Sequence, residues 1–114
     1  MTDKPKVFVS VGMHGRSMDD VLKDIAEAGL KAKEFNEHSE IVHNYNCPPM
    51  PENTSSKTYY LGEAIKLLGE CDACVFAKGW EEYAGCVVEH HVCELYDIPR
   101  INHEGLIIFE VGNG

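Results

Sequence analysis

Apolar positions along the chain follow two rhythms. Lys6–Val11 (KVFVSV) is continuous, β-branched and stopped by Gly12, which marks a buried strand. Val21, Leu22, Ile25, Ala26 and Leu30 then recur at helical spacing, predicting a helix from Met18 to about Phe35. Ser17 reads as its N-cap, and Asp19 and Asp20 occupy the first turn, where carboxylates suit the helix dipole. Gly29 is an interior cost of roughly 1 kcal/mol relative to Ala. Glu40–Tyr45 reads as a second strand. The next stretch, 46–55, carries Pro48, Pro49 and Pro51 and excludes regular structure; loops of that length are often functional or mobile.

A second helix is predicted over about Ser56–Gly69, with Tyr60, Leu61, Ala64, Ile65 and Leu68 inward. Asp72–Ala77 is a third buried strand, Lys78–Ala84 a loop, and Gly85–Tyr96 a third helix. Pro99–Asn102 and Leu106–Val111 are short strands. The link between them, His103-Glu104-Gly105, is too short for a parallel crossover, so they pair antiparallel if they share a sheet. The order β-α-β-α-β-α-β-β implies an α/β fold: a mostly parallel sheet with helices on both faces. A doubly wound strand order of 2-1-3-4 puts the topological switch point between strands one and three. Ligands bind outside the carboxyl ends of such strands, here Ser10–Arg16 and Ala77–Tyr83. At 114 residues the chain is one domain's worth, 1–114.

Charge narrows the choice of partner. The net charge is −9 and the only arginines are Arg16 and Arg100, which excludes a protein that coats DNA or RNA. A small anion remains compatible, since one Arg and a few backbone N–H groups hold a phosphate. No apolar run approaches the ~20 residues of a membrane span. The N-terminal stretch lacks a signal peptide's apolar core, so a cytoplasmic location is expected. Five cysteines, an odd number without an export signal, point to reduced thiols.

Two segments carry candidate chemistry. In the first, Ser10, Gly12, Met13, His14, Gly15 and Arg16 form a strand-to-helix loop. Its glycines admit a ligand close to the backbone, and Arg16 adds a fixed charge. The plain alternative is an ordinary turn with a solvated Arg. The loop has neither P-loop nor dinucleotide-binding spacing. The second segment runs from Lys78 to His91. It holds Gly79, the chain's single tryptophan Trp80, Tyr83, Gly85 and Glu89. An indole there can stack on a base or sugar, and a carboxylate on the following helix can attack an anomeric carbon. The alternative is that Trp80 caps the core and Glu89 is a surface residue matched to the dipole.

Cys71-x-x-Cys74 is discounted as a redox or zinc motif, because it begins a strand and lacks further ligands. Cys86, His90 and Cys93 share a helical face that could hold a metal, though a face packed on the sheet explains them more simply.

Taken together, the glycine/arginine loop and the run from Tyr60 to Ile101 resemble the nucleoside 2-deoxyribosyltransferase-like superfamily. That group includes deoxynucleoside 5′-monophosphate N-glycosidases and a small branch with a Gly-Trp-Glu loop, to which this chain is most similar. The resemblance runs from Val7 to about Ile101. It is most specific at Cys71-Asp72 and from Gly79-Trp80 through Gly85-x-x-x-Glu89. It implies a flavodoxin-like three-layer sandwich and cleavage or transfer of a nucleoside or nucleotide N-glycosidic bond. It also implies no cofactor, a small-molecule partner rather than a nucleic acid polymer or membrane, and a homodimer whose sites a neighbouring subunit completes.

By that resemblance Glu89 is the nucleophile, and Gly12, His14, Gly15 and Arg16 form the loop that holds a 5′-phosphate. The chain departs from the pattern twice. Tyr83 stands six residues before Glu89, where Ser or Asp usually orients sugar or phosphate. Eight residues before Asp72, where relatives carry an Asp that assists the leaving base, stands Ala64, with Glu63 one residue away. One residue on a helix is a rotation of ~100°. Glu89, Tyr83 and Glu63 are therefore the catalytic candidates. The alternatives are a nucleotide-binding module that has lost catalysis, and a thiol or metal protein built on Cys86, His90 and Cys93.

Overall fold

The computed structural model describes residues 4–52, 56, 58–102 and 107–108. β1 (Lys6–Ser10) lies in the interior of the sheet, with a strand on either side, because every residue after Lys6 is apolar or small enough to be buried. It pairs in parallel with β2 (Glu40–Val42), Val7 opposite Ile41, and with β3 (Ala73–Phe76), Val9 opposite Val75. β3 pairs in parallel with β4 (Arg100–Ile101), and β4 pairs antiparallel with β5 (Ile107–Ile108). The order is β2-β1-β3-β4-β5. The predicted 2-1-3-4 order and the antiparallel edge strand are both present. The predicted strand residues Leu106 and 109–111 lie outside the described residues.

Strand alternation divides the core in two. Val7, Val9, Val11, Ala73, Val75 and Ile101 face α1 (Met18–Phe35). Phe8, Cys74 and Phe76 face α2 (Tyr59–Gly69) and α3 (Ala84–Leu95). The result is the three-layer sandwich expected of the fold. As predicted, Ser17 caps α1, its side chain accepting from the Asp20 N–H at 3.2 Å.

The buried face of α1 differs from the predicted one. Val21, Ile25, Ala28, Gly29 and Ala32 are inward, whereas Leu22, Ala26 and Leu30 are exposed. Small residues at this i, i+4, i+7, i+11 stripe let the helix lie close to the sheet, and a side chain at Gly29 would touch Ile41. On α2, Ala64 and Leu68 are buried as predicted, but Tyr60 is 48% exposed; its hydroxyl accepts from the Met50 N–H at 3.1 Å. β2 ends at Val42, short of the predicted Tyr45. There the His43 N–H donates to Asn46 Oδ1 and the His43 ring accepts from the Tyr45 N–H, so local side-chain bonds turn the backbone out of the ladder into a 3-10 turn, Asn44–Asn46. α2 starts at Tyr59 rather than about Ser56, and α3 one residue early, at Ala84.

Among the described residues no helix is long and apolar enough to cross a membrane. The two-faced packing sets a test. Leu68→Ala, at a fully buried position, should cost about 2–5 kcal/mol in urea unfolding. Leu30→Ala, at a position 64% exposed, should change stability by less than about 0.5 kcal/mol.

Candidate active site

The carboxyl end of β1 opens into a cleft of about 900 Å³, which Ala77, Lys78 and Gly79, the residues directly after β3, do not line. One wall is Val11, Gly12, Met13 and His14, the backbone that leaves β1. The opposite wall is the entry to α3: Glu82, Tyr83, Ala84, Gly85, Cys86 and Glu89. A third side comes from the segment after β2, with Asn44, Tyr45, Cys47 and Pro49, and from Tyr60 and Leu61 of α2. Sequence reasoning missed this third side. Its signals were the proline-rich stretch and the place of β2 beside β1, which brings the end of one strand next to the end of the other.

Glu89 lines the cleft but is only 3% exposed. It sits on the inward stripe of α3 with Cys86 and Cys93, one helical turn or two apart. Ser10, the last residue of β1, points to the same side as Phe8 and donates its hydroxyl to Glu89 Oε1 at 2.6 Å. Burial pushes the Glu89 carboxyl up to about 7, and the Ser10 hydrogen bond partly offsets this by favouring the charged form. The group is thus poised between acid and carboxylate near neutrality. Cys86, also in contact with the Ser10 hydroxyl, is pushed up to about 11 by burial. Cys47, on the far wall, is raised by burial, with the charges of Glu63 and Glu89 adding. Neither thiol is a ready nucleophile.

Tyr83 links the two main walls. A Cβ placed at Gly12 would run into the Tyr83 ring, so the ring lies directly on the Gly12 backbone. Glycine at 12 is needed for this contact. Gly15 and Gly79, by contrast, are needed for positive φ, +73° and +81°, at the turns leading into α1 and into the 3-10 turn Trp80–Glu82.

The structure brings together Ser10, Gly12, Met13, His14, Tyr83, Gly85 and Glu89, with Ser10 behind the wall as the partner of Glu89. The remaining candidates lie elsewhere. The Arg16 guanidinium donates to the Gly12 carbonyl at 2.8 Å and to Asp24 Oδ2 at 2.6 Å, and it does not line the cleft. Gly15 is exposed in the turn beside it. Trp80 stacks on His90 (4.4 Å between centroids, 12° between planes) and packs on Phe76, half-buried against the second core. Glu63 is paired with Lys66 at 3.1 Å and is not among the lining residues. Cys86, His90 and Cys93 share a face of α3 but meet different neighbours: Ser10, Trp80 and Cys74. Among the described residues no cluster of His, Cys, Asp and Glu is arranged to hold a metal.

No family model matches the chain, and no curated protein does. Two solved structures share its fold. A conserved protein from Enterococcus faecalis V583 superposes with a TM-score of 0.61 at 15% identity, over 87% of this chain and 62% of that one. A 2-deoxyribosyltransferase from the psychrotolerant bacterium Bacillus psychrosaccharolyticus superposes with a TM-score of 0.61 at 13% identity, over 85% of this chain and 70% of that one. The chain therefore has the fold of a 2-deoxyribosyltransferase, and spans less than two thirds of the Enterococcus protein.

Two measurements test the site's internal contacts. The folded Glu89 carboxyl titrates at about 7, above its ordinary 4.5, so its contribution to stability is full below 4.5 and is lost as pH rises through 7. Glu89→Gln, which does not titrate, should gain on the wild type by ~3 kcal/mol between pH 4.5 and pH 8 in chemical denaturation. Gly12→Ala should destabilise by about 1–3 kcal/mol through its clash with the Tyr83 ring. Combining it with Tyr83→Ala should recover most of that loss in a double-mutant cycle.

Proposed function

We propose that the protein cleaves or transfers the N-glycosidic bond of a nucleoside or nucleotide, with Glu89 as nucleophile. The observation that carries this reading is the buried carboxyl of Glu89 at the wall of a cleft large enough for a nucleoside, hydrogen-bonded to Ser10 at the switch point of the sheet. The fold shared with a 2-deoxyribosyltransferase supports it.

The ionised carboxylate attacks C1′ of the sugar through an oxocarbenium-like transition state. The C1′–N bond breaks, its electron pair leaves with the base, and the base takes up a proton. The sugar–Glu89 ester is then opened by water, giving hydrolysis, or by a second base, giving transfer. Ser10 acts through Glu89: its hydroxyl fixes the carboxyl rotamer and favours the charged, attacking form. Glu82, at the rim, is the other carboxyl lining the cleft among the described residues and is open to proton exchange with solvent. No step uses a metal or cofactor. The active form in this reading is a homodimer; the exposed Val87, Val88 and Leu95 on the outer side of α3 are available to a second copy.

A binding module without turnover is the second reading. The pairing of Glu63 with Lys66 outside the cleft favours it, because that leaves the leaving base without a fixed acid. Base release from a panel of deoxynucleosides and their 5′-monophosphates separates the two. The enzyme reading expects release that Glu89→Ala lowers by at least about a hundredfold, and a sugar–protein adduct visible by mass spectrometry. It also expects kcat/KM to rise with pH and level off above about 7, as Glu89 ionises. Undiminished activity in Glu89→Ala rejects it. Saturable nucleotide binding with no release establishes the binding module instead.

A further inference from the structure

We infer that Tyr83 is a specificity-determining residue that shuts the cleft to phosphate, so that the site takes a nucleoside with a free 5′-hydroxyl rather than its 5′-monophosphate. The inference rests on the nucleoside reading above and names the substrate class within it.

The cleft has two features an anion would use. One is the glycine backbone after β1, and the other is the start of α3. α3 is a twelve-residue helix with no acidic residue in its first turn and no side chain capping it, and Ala84, Gly85 and Cys86 line the cleft. Its positive end therefore faces the cavity. Tyr83 is the residue immediately before that end, and its ring lies on the Gly12 backbone across the gap. The close approach that glycine permits at position 12 is thus taken by the protein's own ring. The Gly12 side of the space between loop and helix end, where a phosphate would bridge them, is occupied by the carbon of that ring.

The charges agree with the sterics. Arg16, the cation nearest the loop in sequence, spends its guanidinium on the Gly12 carbonyl and on Asp24. The acidic side chains among the described lining residues are Glu82 and Glu89, and a phosphate dianion would face both. A neutral hydroxymethyl group meets neither obstacle.

The test compares kcat/KM for a deoxynucleoside with that for its 5′-monophosphate. The wild type should prefer the nucleoside by about a hundredfold or more: about tenfold is the scale of one like-charge contact in a partly screened site, and exclusion by the ring adds at least as much again. Tyr83→Ala and Tyr83→Ser should shrink that ratio about tenfold or more by admitting the monophosphate. Tyr83→Phe should keep the wild-type ratio, because the ring and not the hydroxyl fills the gap. A wild type that handles both substrates equally, or prefers the monophosphate, overturns the inference. So does a ratio unchanged in Tyr83→Ala.

If the wild type turns over neither substrate, the enzyme reading fails while Tyr83 is still decided, by titrating inorganic phosphate and following the Ala84–Cys86 amides by NMR. The wild type should show no saturable shift at millimolar phosphate, and Tyr83→Ala or Tyr83→Ser should show one. Absence of the shift in both variants, each with a native circular dichroism spectrum, overturns the inference.

Discussion

A carboxyl group taken out of water must either find a donor or keep its proton, and Glu89 does part of each. The Ser10 hydroxyl at 2.6 Å stabilises the charged form, while burial holds the group near neutrality. This contact reaches across the molecule, from the last residue of β1 to the second turn of α3. To keep it, α3 must enter close to the end of β1, which brings Tyr83 over Gly12 and opens the cleft between the two loops. A shift of α3 by one residue would turn the carboxyl away by ~100° and leave a buried hydroxyl with no acceptor, so the helix register and the site are one constraint.

The two faces of the sheet divide the work. Alternation along β1 sends Val7 and Val9 toward α1 and sends Phe8 and Ser10 toward α2 and α3. The α1 side is apolar and closely packed on small residues, which holds the sheet rigid. The other side carries Ser10, Glu89 and most of the thiols. The thiols behave as core atoms: Cys74 and Cys93 are fully packed, and burial pushes Cys71, like Cys86, up to about 11. The cysteine-rich composition is thus absorbed into packing rather than into redox chemistry.

Much of the fold was legible because strong local signals agree with it. The continuous apolar run at Lys6–Ser10, the Ser17 cap and the short link before β5 each stand on a few neighbouring residues. The inward side of α1 was misread because hydrophobicity favours Leu22 and Leu30, whereas the sheet selects Ala28, Gly29 and Ala32 for close approach. The end of β2 was misread because the His43 and Asn46 side chains compete with the ladder. At the site, the residues alone left Glu89 open between a surface position and a cleft, and only the family resemblance singled it out. The engagement of Arg16 by Asp24 and the seating of Tyr83 on Gly12 were not legible, since each depends on which way a loop folds back.

The stacking of Trp80 on His90 has a use beyond packing. The chain has one tryptophan, so its intrinsic fluorescence comes from a single indole, held between an imidazole of α3 and the ring of Phe76 on β3. That indole follows β3 and leads directly into the loop that carries Tyr83. Its emission is a built-in optical reporter of whether α3 is seated on the sheet, readable without any label.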